Sequence, residues 1–486
     1  MRLNIRLLFR TLGMLLVIMA VSMLFPVAVS VYYGDGSQYG LMLAAFCILV
    51  VGLFLRNFIG AGASNEVHAR DGVWFTVVIW IVVPLMGALP YLFTSSVQSF
   101  TDAAFESFSG FTTTGSSVLS GFDQMPQGLL VWRSTSQWIG GLGLILFVVA
   151  ILRRLNVGAA RLYESEFSGT LQRRLHPRLG RSVALMWVVY IALTVVLFVL
   201  LMAGGNGFVD SFCTATSTVS TGGFMTHDDG MASYSTYSMC CITLFMFMAG
   251  MNISVLYSIF TGKWREAGRD EEFRTYFMIS IAATLVCFAS IVISGGGLSV
   301  GTLGFSLFHV ASAVSTCGFY TTGPSYWPAM VSVLTFLLVF VGASTGSTGG
   351  GLKMKRIMIV GRGVRNYFVS MVHPQSVTRV KVNGRAVDEE HVRVVFSFLF
   401  LYVVLITLGS FVLTFCGLDI PNALCMATAN IGNLGPSPVA NSMGARIDYI
   451  SLAPVGKWTM VLLMLAGRLE IFTLVAVLLP QYWKRS

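Results

Sequence analysis

Four short strings in this chain end on glycine and carry only small, amide or apolar residues: "TTTG", "VSTGG", "VSTCG" and "NLG". Aligned on one glycine each, they mark Gly115, Gly223, Gly318 and Gly435, at separations of 108, 95 and 117 residues. No charged side chain falls within them. The chemistry open to such strings is that of the main chain. Carbonyl oxygens held in a ring replace the hydration shell of a cation. Glycine suits this task because aligning successive carbonyls needs backbone angles that other residues reach only at a cost. One string alone would read as an outer turn, but four in the same slot argue for a shared device.

The elements that hold these strips are membrane helices. Of 486 residues, 55% are hydrophobic and only 11% charged, and mean hydropathy is +0.77. Soluble domains carry about 25% charged residues. Apolar runs long enough for a hydrocarbon core of ~30 Å predict ten crossings, near 11–32, 39–60, 72–93, 130–152, 182–204, 237–261, 275–295, 329–361 (broken), 394–416 and 456–480. Basic residues gather before the first run and in the links 153–181, 262–274 and 353–393. Of the 31 basic residues, all but Arg133, Arg446, Lys457 and Arg468 fall on one face. This bias makes the basic face cytoplasmic, with both termini on it. The net charge of +10 therefore records topology and is no sign of nucleic-acid binding. Asp102, Glu106, Asp123, Asp210, Asp228, Asp229, Asp419 and Asp448 fall on the opposite face. They are either ordinary solvated loop residues or an outer mouth that concentrates cations. The first apolar run follows "MRLNIRLLFR" like a leader, but at 22 residues it is longer than a normal leader core and reads as a retained helix.

Each strip lies between an outward and an inward span, preceded by a segment too apolar for a loop and too short to cross: "DAAFESFSGFTTTGSS", "DSFCTATSTVSTGGF", "FHVASAVSTCGF" and "PNALCMATANIGNLGPS". Every unit starts and ends in the cytoplasm, so the four are parallel, unlike inverted transporter repeats. The predicted fold is an all-α polytopic membrane protein. Two extra helices in residues 1–66 precede repeats at 67–160, 161–265, 266–370 and 371–486, arranged around a central pore. Irregular backbone at membrane depth survives only when buried in protein or lining water. Each half-length helix, pointing its C-terminus inward, adds roughly half a negative charge there.

A second glycine string breaks the eighth span. "GASTGSTGGG" covers Gly342, Ser344, Thr345, Gly346, Ser347, Thr348, Gly349, Gly350 and Gly351, then gives way to Lys353, Lys355 and Arg356. Its spacing is not that of a phosphate-cradling loop. The expected structure is a flexible flap below the strips, its hydroxyls satisfying backbone or meeting an ion. The three cations read equally as positive-inside anchors or as levers for a regulator. Arg468 is the one charge deep in an apolar run. An ionisable residue at that depth is functional by default, and it is expected to reach carbonyls of the glycine loop and oppose cation passage. Glu470, two positions on, would point away from it on a continuous helix.

"SGFTTTG", "STVSTGGF", "QWIGGLG", "GSTGGGLK" and "NLGPS", in this order, resemble the TrkH/KtrB superfamily of potassium-translocating subunits over nearly the whole chain. The two extra N-terminal spans bring it nearer to TrkH. This resemblance implies a four-domain M1–P–M2 fold, a homodimer, and a separate cytosolic nucleotide-binding regulator resembling TrkA. It implies a K+ filter made of Thr113, Thr114 and Gly115; Ser220, Thr221, Gly222 and Gly223; Ser315, Thr316, Cys317 and Gly318; and Asn433, Leu434 and Gly435. It also implies an intramembrane gating loop at the glycine string. Serine at the first filter glycine accompanies sodium permeation in relatives, so Gly115 points to potassium. Cys317 and the fourth strip depart from the Thr/Ser pattern, so the filter should depart from fourfold symmetry.

A proton- or sodium-coupled secondary cation transporter is the alternative, and would need a mid-membrane relay for which only Arg468 and Glu470 qualify. An enzyme is not expected. The six histidines, His68, His176, His227, His309, His373 and His391, scatter mostly to loops, and His309 reads as a packed, hydrogen-bonded residue. The eight cysteines show no disulfide framework or metal pair. No covalently bound cofactor is expected: K+ occupies the pore, and nucleotide binds only the regulator. The setting is the bacterial inner membrane.

Overall fold

The computed structural model describes residues 4–63, 69–142, 179–321, 328–375, 379–435 and 449–480. Residues 153–178 of the expected link at 153–181, together with Arg446 and Asp448, lie outside the described residues. Ile5–Ser22 and Leu24–Tyr33 form one near-continuous span that packs against Gln38–Phe54. Their backbones nearly touch, because a Cβ on Gly13 would lie 2.5 Å from the carbonyl oxygen of Gly52. Small residues allow such close helix approach in lipid.

Four units follow. In the first, Ala69–Gly87 runs outward, Phe100–Phe111 is half-length and Gln127–Gly141 returns. The second has Leu179–Ala203, Phe208–Val219 and Thr236–Ala249. The third has Glu271–Ile291, Val300–Ser315 and Ala329–Val341, and the fourth Glu389–Phe415, Ile420–Ile431 and Pro454–Arg468. Six described spans are long and apolar enough to cross, or eight if each bent pair counts as one. Apolar stripes on the outer faces of the spans fit a membrane protein. Along Leu179–Ala203, Val188, Ile191, Val195 and Val199 are exposed at helical spacing while Tyr190, Leu193, Leu197 and Leu201 are buried. In water such a stripe would be costly; in hydrocarbon it is the expected surface.

The sequence places a break only in the eighth span. Two more inward spans are also broken, by 115° between Ala249 and Ile253 and by 111° between Arg468 and Ile471. A Cβ on Gly250 would lie 3.0 Å from Ser315 Cα, and one on Gly467 would lie 2.1 Å from the carbonyl oxygen of Ile431. Both inward helices therefore press glycine against the end of a half-length helix and then turn. After the turn at 250–252, Asn252 restarts the helix by accepting from Ser254 N at 2.8 Å. The expected crossing at 130–152 is described only to residue 142.

The basic link 353–393 is also more structured than a loop. Met354–Val372 is a helix, and Lys381–Val382 pairs antiparallel with Arg385–Ala386. Val380 and Val382 of this hairpin bury against Ile359 and Val395.

Candidate ion pathway

All four half-length helices end in the same way. The N–H groups of Thr113, Thr221, Thr316 and Asn433 bond back to the carbonyls of Gly110, Thr218, Ala313 and Asn430. The next residue, Thr114, Gly222, Cys317 or Leu434, bonds five back, to Ser109, Ser217, Ser312 or Ala429, at 2.8–3.0 Å. This is the Schellman termination, whose left-handed residue is normally glycine. Here Thr113, Thr221, Thr316 and Asn433 occupy it at φ of 55°, 54°, 60° and 50°. Two residues later Gly115, Gly223, Gly318 and Gly435 take φ of 82°, 76°, 84° and 83°. Threonine in the left-handed region is costly, and three in equivalent places show that the chain is held there by its surroundings.

The strips close on one another. A Cβ on Gly115 would sit 2.1 Å from the carbonyl oxygen of Gly222, and one on Gly223 2.0 Å from that of Cys317. One on Gly318 would sit 1.9 Å from the carbonyl oxygen of Leu434, and one on Gly435 2.4 Å from that of Thr114. First meets second, second third, third fourth, and fourth first. The result is a ring of four backbone segments in which a side chain at any of the glycines has no room. Ser220, Ser315 and the other polar residues of the strips are buried.

The backbone is fourfold, but its support is not. Gln137 brackets the second strip, donating from Nε2 to Gly222 O at 2.7 Å and accepting from Phe224 N at 3.2 Å. Asn433 donates to Thr114 Oγ1 and to Met464 O, both at 3.0 Å. Cys317 Sγ is buried, 3.9 Å from Ser217 O. Behind the third strip, His309 Nε2 lies 2.6 Å from Thr335 Oγ1, in keeping with a packed, hydrogen-bonded residue. Gln137 lay in a quoted motif, yet its role could not be read, since the strip it holds is 85 positions away.

The 342–353 loop lies against the same helix ends, on the side of the inward helices. Gly342, Gly346 and Gly351 have positive φ. At Gly349 and Gly350 close approach is decisive: a Cβ would meet Ser315 O at 2.6 Å and Gly432 O at 2.1 Å. Several elements hold the loop by hydrogen bonds. Gly350 N donates to Thr316 Oγ1 at 2.7 Å, and Thr348 Oγ1 to Val219 O at 3.1 Å. Ser344 N reaches Gly250 O, and Asn252 Nδ2 reaches Thr345 O at 2.6 Å. Glu272 accepts from Thr345 N at 2.5 Å.

Arg468 reaches the loop as expected, and more. Nη1 donates to Thr348 O at 3.1 Å, and Nη2 to Gly140 O and Gly141 O at 2.5 and 2.7 Å. It therefore joins the loop to the end of the first inward helix. Glu470 lies within the break, at φ 53°, so the helical-wheel separation does not apply. It pairs with Arg356 at 2.6 Å, whose guanidinium stacks 4.0 Å from the Phe398 ring. Lys353 turns back to donate to Gly349 O at 2.7 Å, closing the loop on itself.

On the outer side, Glu106 does not belong to a mouth. It is buried and ion-paired with Arg133 at 2.8 Å. Asp102 pairs with Lys457. Asp123 and Asp210 converge on His227, at 2.7 and 3.4 Å. The His227 ring holds its proton up to about 9, because its bond to Asp210 and then that to Asp123 outweigh partial burial. Asp228 accepts from Gly121 N at 2.9 Å.

Half-length helices converging on a ring of glycine strips, inside a shell of lipid-facing spans, define a polytopic membrane protein built around one central passage. The TrkH family model, described as a cation transport protein, matches residues 43–484. The Trk system potassium uptake protein TrkH of Salmonella typhimurium is 32% identical over 489 residues, covering 99% of this chain and all of that protein. Its counterpart in Vibrio parahaemolyticus is 33% identical over 488 residues and 99% of each. The crystal structure of the potassium transporter TrkH from Vibrio parahaemolyticus superposes with a TM-score of 0.88 over 99% of this chain and all of that one, at 32% identity. The chain belongs to the TrkH family.

Proposed function

We propose that the ring formed by the four strips is a potassium-selective filter, and that the chain is the ion-conducting subunit of a potassium uptake system. The carrying observation is the cyclic contact of each glycine with the carbonyl next along the ring. In this reading a K+ ion sheds its water at the ring and is coordinated by main-chain oxygens of Thr113 and Thr114, Ser220 to Gly222, Ser315 to Cys317, and Asn433 and Leu434. The ends of the four half-length helices add negative potential beneath it. The relatives' names, which describe potassium uptake, support potassium as the ion.

The 342–353 loop is the gate, and its hydrogen-bonded form is the shut one. Arg468 holds it to the first unit and places positive charge in the ion's path. Opening requires release of Thr348 O from Arg468 and of Gly350 N from Thr316 Oγ1. A coupled carrier would need an ionisable relay at this depth. Arg468 is instead committed to carbonyls and Glu470 to Arg356, which supports a channel-like path. The assembly in this reading is a homodimer in the bacterial inner membrane, both termini cytoplasmic. A cytosolic nucleotide-binding partner resembling TrkA bears on the loop through Lys355 and Arg356. Residues 1–66 stand outside the repeats 67–160, 161–265, 266–370 and 371–486.

The test is growth of a bacterial strain lacking its own potassium uptake. This chain should restore growth at limiting potassium, and Gly115→Ser should lose that advantage as sodium is raised. Failure to restore growth with the regulator co-expressed, despite normal abundance in the membrane, would contradict the proposal.

A further inference from the structure

Nine residues before each ring glycine, the half-length helices carry Glu106, Thr214, His309 and Met426. Thr214 shares a hydrogen bond with Tyr234 at 2.7 Å, His309 pairs with Thr335, and Met426 is buried among apolar groups. Only the first unit places a charge here. Glu106 Oε1 accepts from Arg133 Nε at 2.8 Å, and the two side chains are 0% and 2% exposed.

This pair reaches two strips at once. Glu106 also accepts from Ser117 Oγ at 2.9 Å and Val118 N at 3.0 Å, fixing the chain that leaves the first strip. Arg133 Nη2 donates to Ser117 Oγ at 3.1 Å, and Nη1 crosses to Met225 O at 3.2 Å, two residues past Gly223. Its guanidinium lies between the rings of Phe122 and Phe224, at 4.5 and 4.1 Å from their centroids. A planar fork with several donors in fixed directions can hold two backbones in register, which an ammonium cannot.

Stability alone does not account for a buried ion pair here. Desolvation consumes most of its attraction, and apolar replacements of similar volume are often as stable; Met426 occupies the equivalent place in the fourth unit. We infer that Glu106 and Arg133 form a positioning clamp that sets the spacing between the first and second strips, and through it the ring's discrimination between K+ and Na+. This rests on the filter reading above. The two residues touch no ion; they act through Ser117, Val118 and Met225.

The test compares parent, Glu106→Leu/Arg133→Met, Arg133→Lys and Gly115→Ser in proteoliposomes, reading the K+/Na+ permeability ratio and the melting temperature. The double variant removes both charges and so leaves no unpaired buried ion. Its ratio should fall about tenfold, equivalent to ~1.4 kcal/mol of lost discrimination, with melting close to the parent's. A permeability ratio does not depend on how much protein is folded, so a merely structural role would leave it unmoved. Arg133→Lys should give an intermediate ratio, and it decides the matter if the double variant is recovered poorly. A parent-level ratio in folded double variant or in Arg133→Lys, with selectivity lost in Gly115→Ser, would overturn the clamp alone. Selectivity retained in Gly115→Ser as well would overturn the filter reading beneath it.

Discussion

Adding one methyl group to a ring glycine should damage selectivity by an amount that follows the geometry. Heavy atoms essentially never lie within 3.0 Å of a Cβ. A Cβ at position 115 starts 2.1 Å from Gly222 O, so that carbonyl must retreat by about 0.9 Å. At position 318 the shortfall is about 1.1 Å against Leu434 O, at 223 about 1.0 Å against Cys317 O, and at 435 about 0.6 Å against Thr114 O. A binding constellation tolerates only ~0.5 Å, so all four substitutions exceed the limit, and position 435 exceeds it least. Positive φ adds roughly 1–2 kcal/mol of strain for any residue with a Cβ. This strain is common to the four, leaving the ranking to the overlap. The assay is the K+/Na+ permeability ratio of Gly115→Ala, Gly223→Ala, Gly318→Ala and Gly435→Ala in proteoliposomes, at matched amounts of folded protein. Gly318→Ala, Gly223→Ala and Gly115→Ala should lose most discrimination, and Gly435→Ala should retain most. Unchanged ratios in all four, or greatest loss at 435, would refute the ring geometry as the basis of selectivity.

Arg468→Ala should raise potassium flux about tenfold, because even one charged hydrogen bond to the loop is worth ~1.5 kcal/mol; flux at the parent level would remove its barrier role. Gln137→Leu leaves Gly222 O and Phe224 N without their side-chain partner. At about 1–3 kcal/mol for each buried unsatisfied group, melting temperature and K+/Na+ ratio should fall together, read by thermal unfolding and flux. The His227 contact should be pH-dependent. Its proton is held more tightly folded than unfolded, so its contribution is complete below pH ~6.5 and lost as pH rises through about 9. Allowing for solvent screening of this partly exposed group, the loss is roughly 1 kcal/mol. Thermal melts between pH 6 and 10, compared with His227→Gln, should show the parent's stability converging on the variant's at the alkaline end.

Much of this arrangement was legible because it repeats. The four glycines stand in one topological slot, and their positive φ values follow from that regularity. The outward helices were legible because an uninterrupted apolar run has few other structures open to it in lipid. The breaks after Ala249 and Arg468 were not, since averaging over a span hides one glycine whose role is contact with another helix. Glu106 looked like one of several outer acids because its partner Arg133 lies 27 positions on, across a turn that hydropathy cannot fold. The contacts of the glycine string were not legible, because the residues that hold it are distant in sequence. Glu272, Asn252, Thr316 and Arg468 come from three different units, and only the folded chain brings them to one loop.

The most direct test of the central claim is ion flux in proteoliposomes containing this chain and its regulator, under opposed potassium and sodium gradients, with Gly115→Ser alongside. The account predicts potassium-selective flux in the parent and a marked loss of selectivity in the variant. Selective flux unaltered by Gly115→Ser would mean that ions are chosen elsewhere, and that the ring of carbonyls is not the filter.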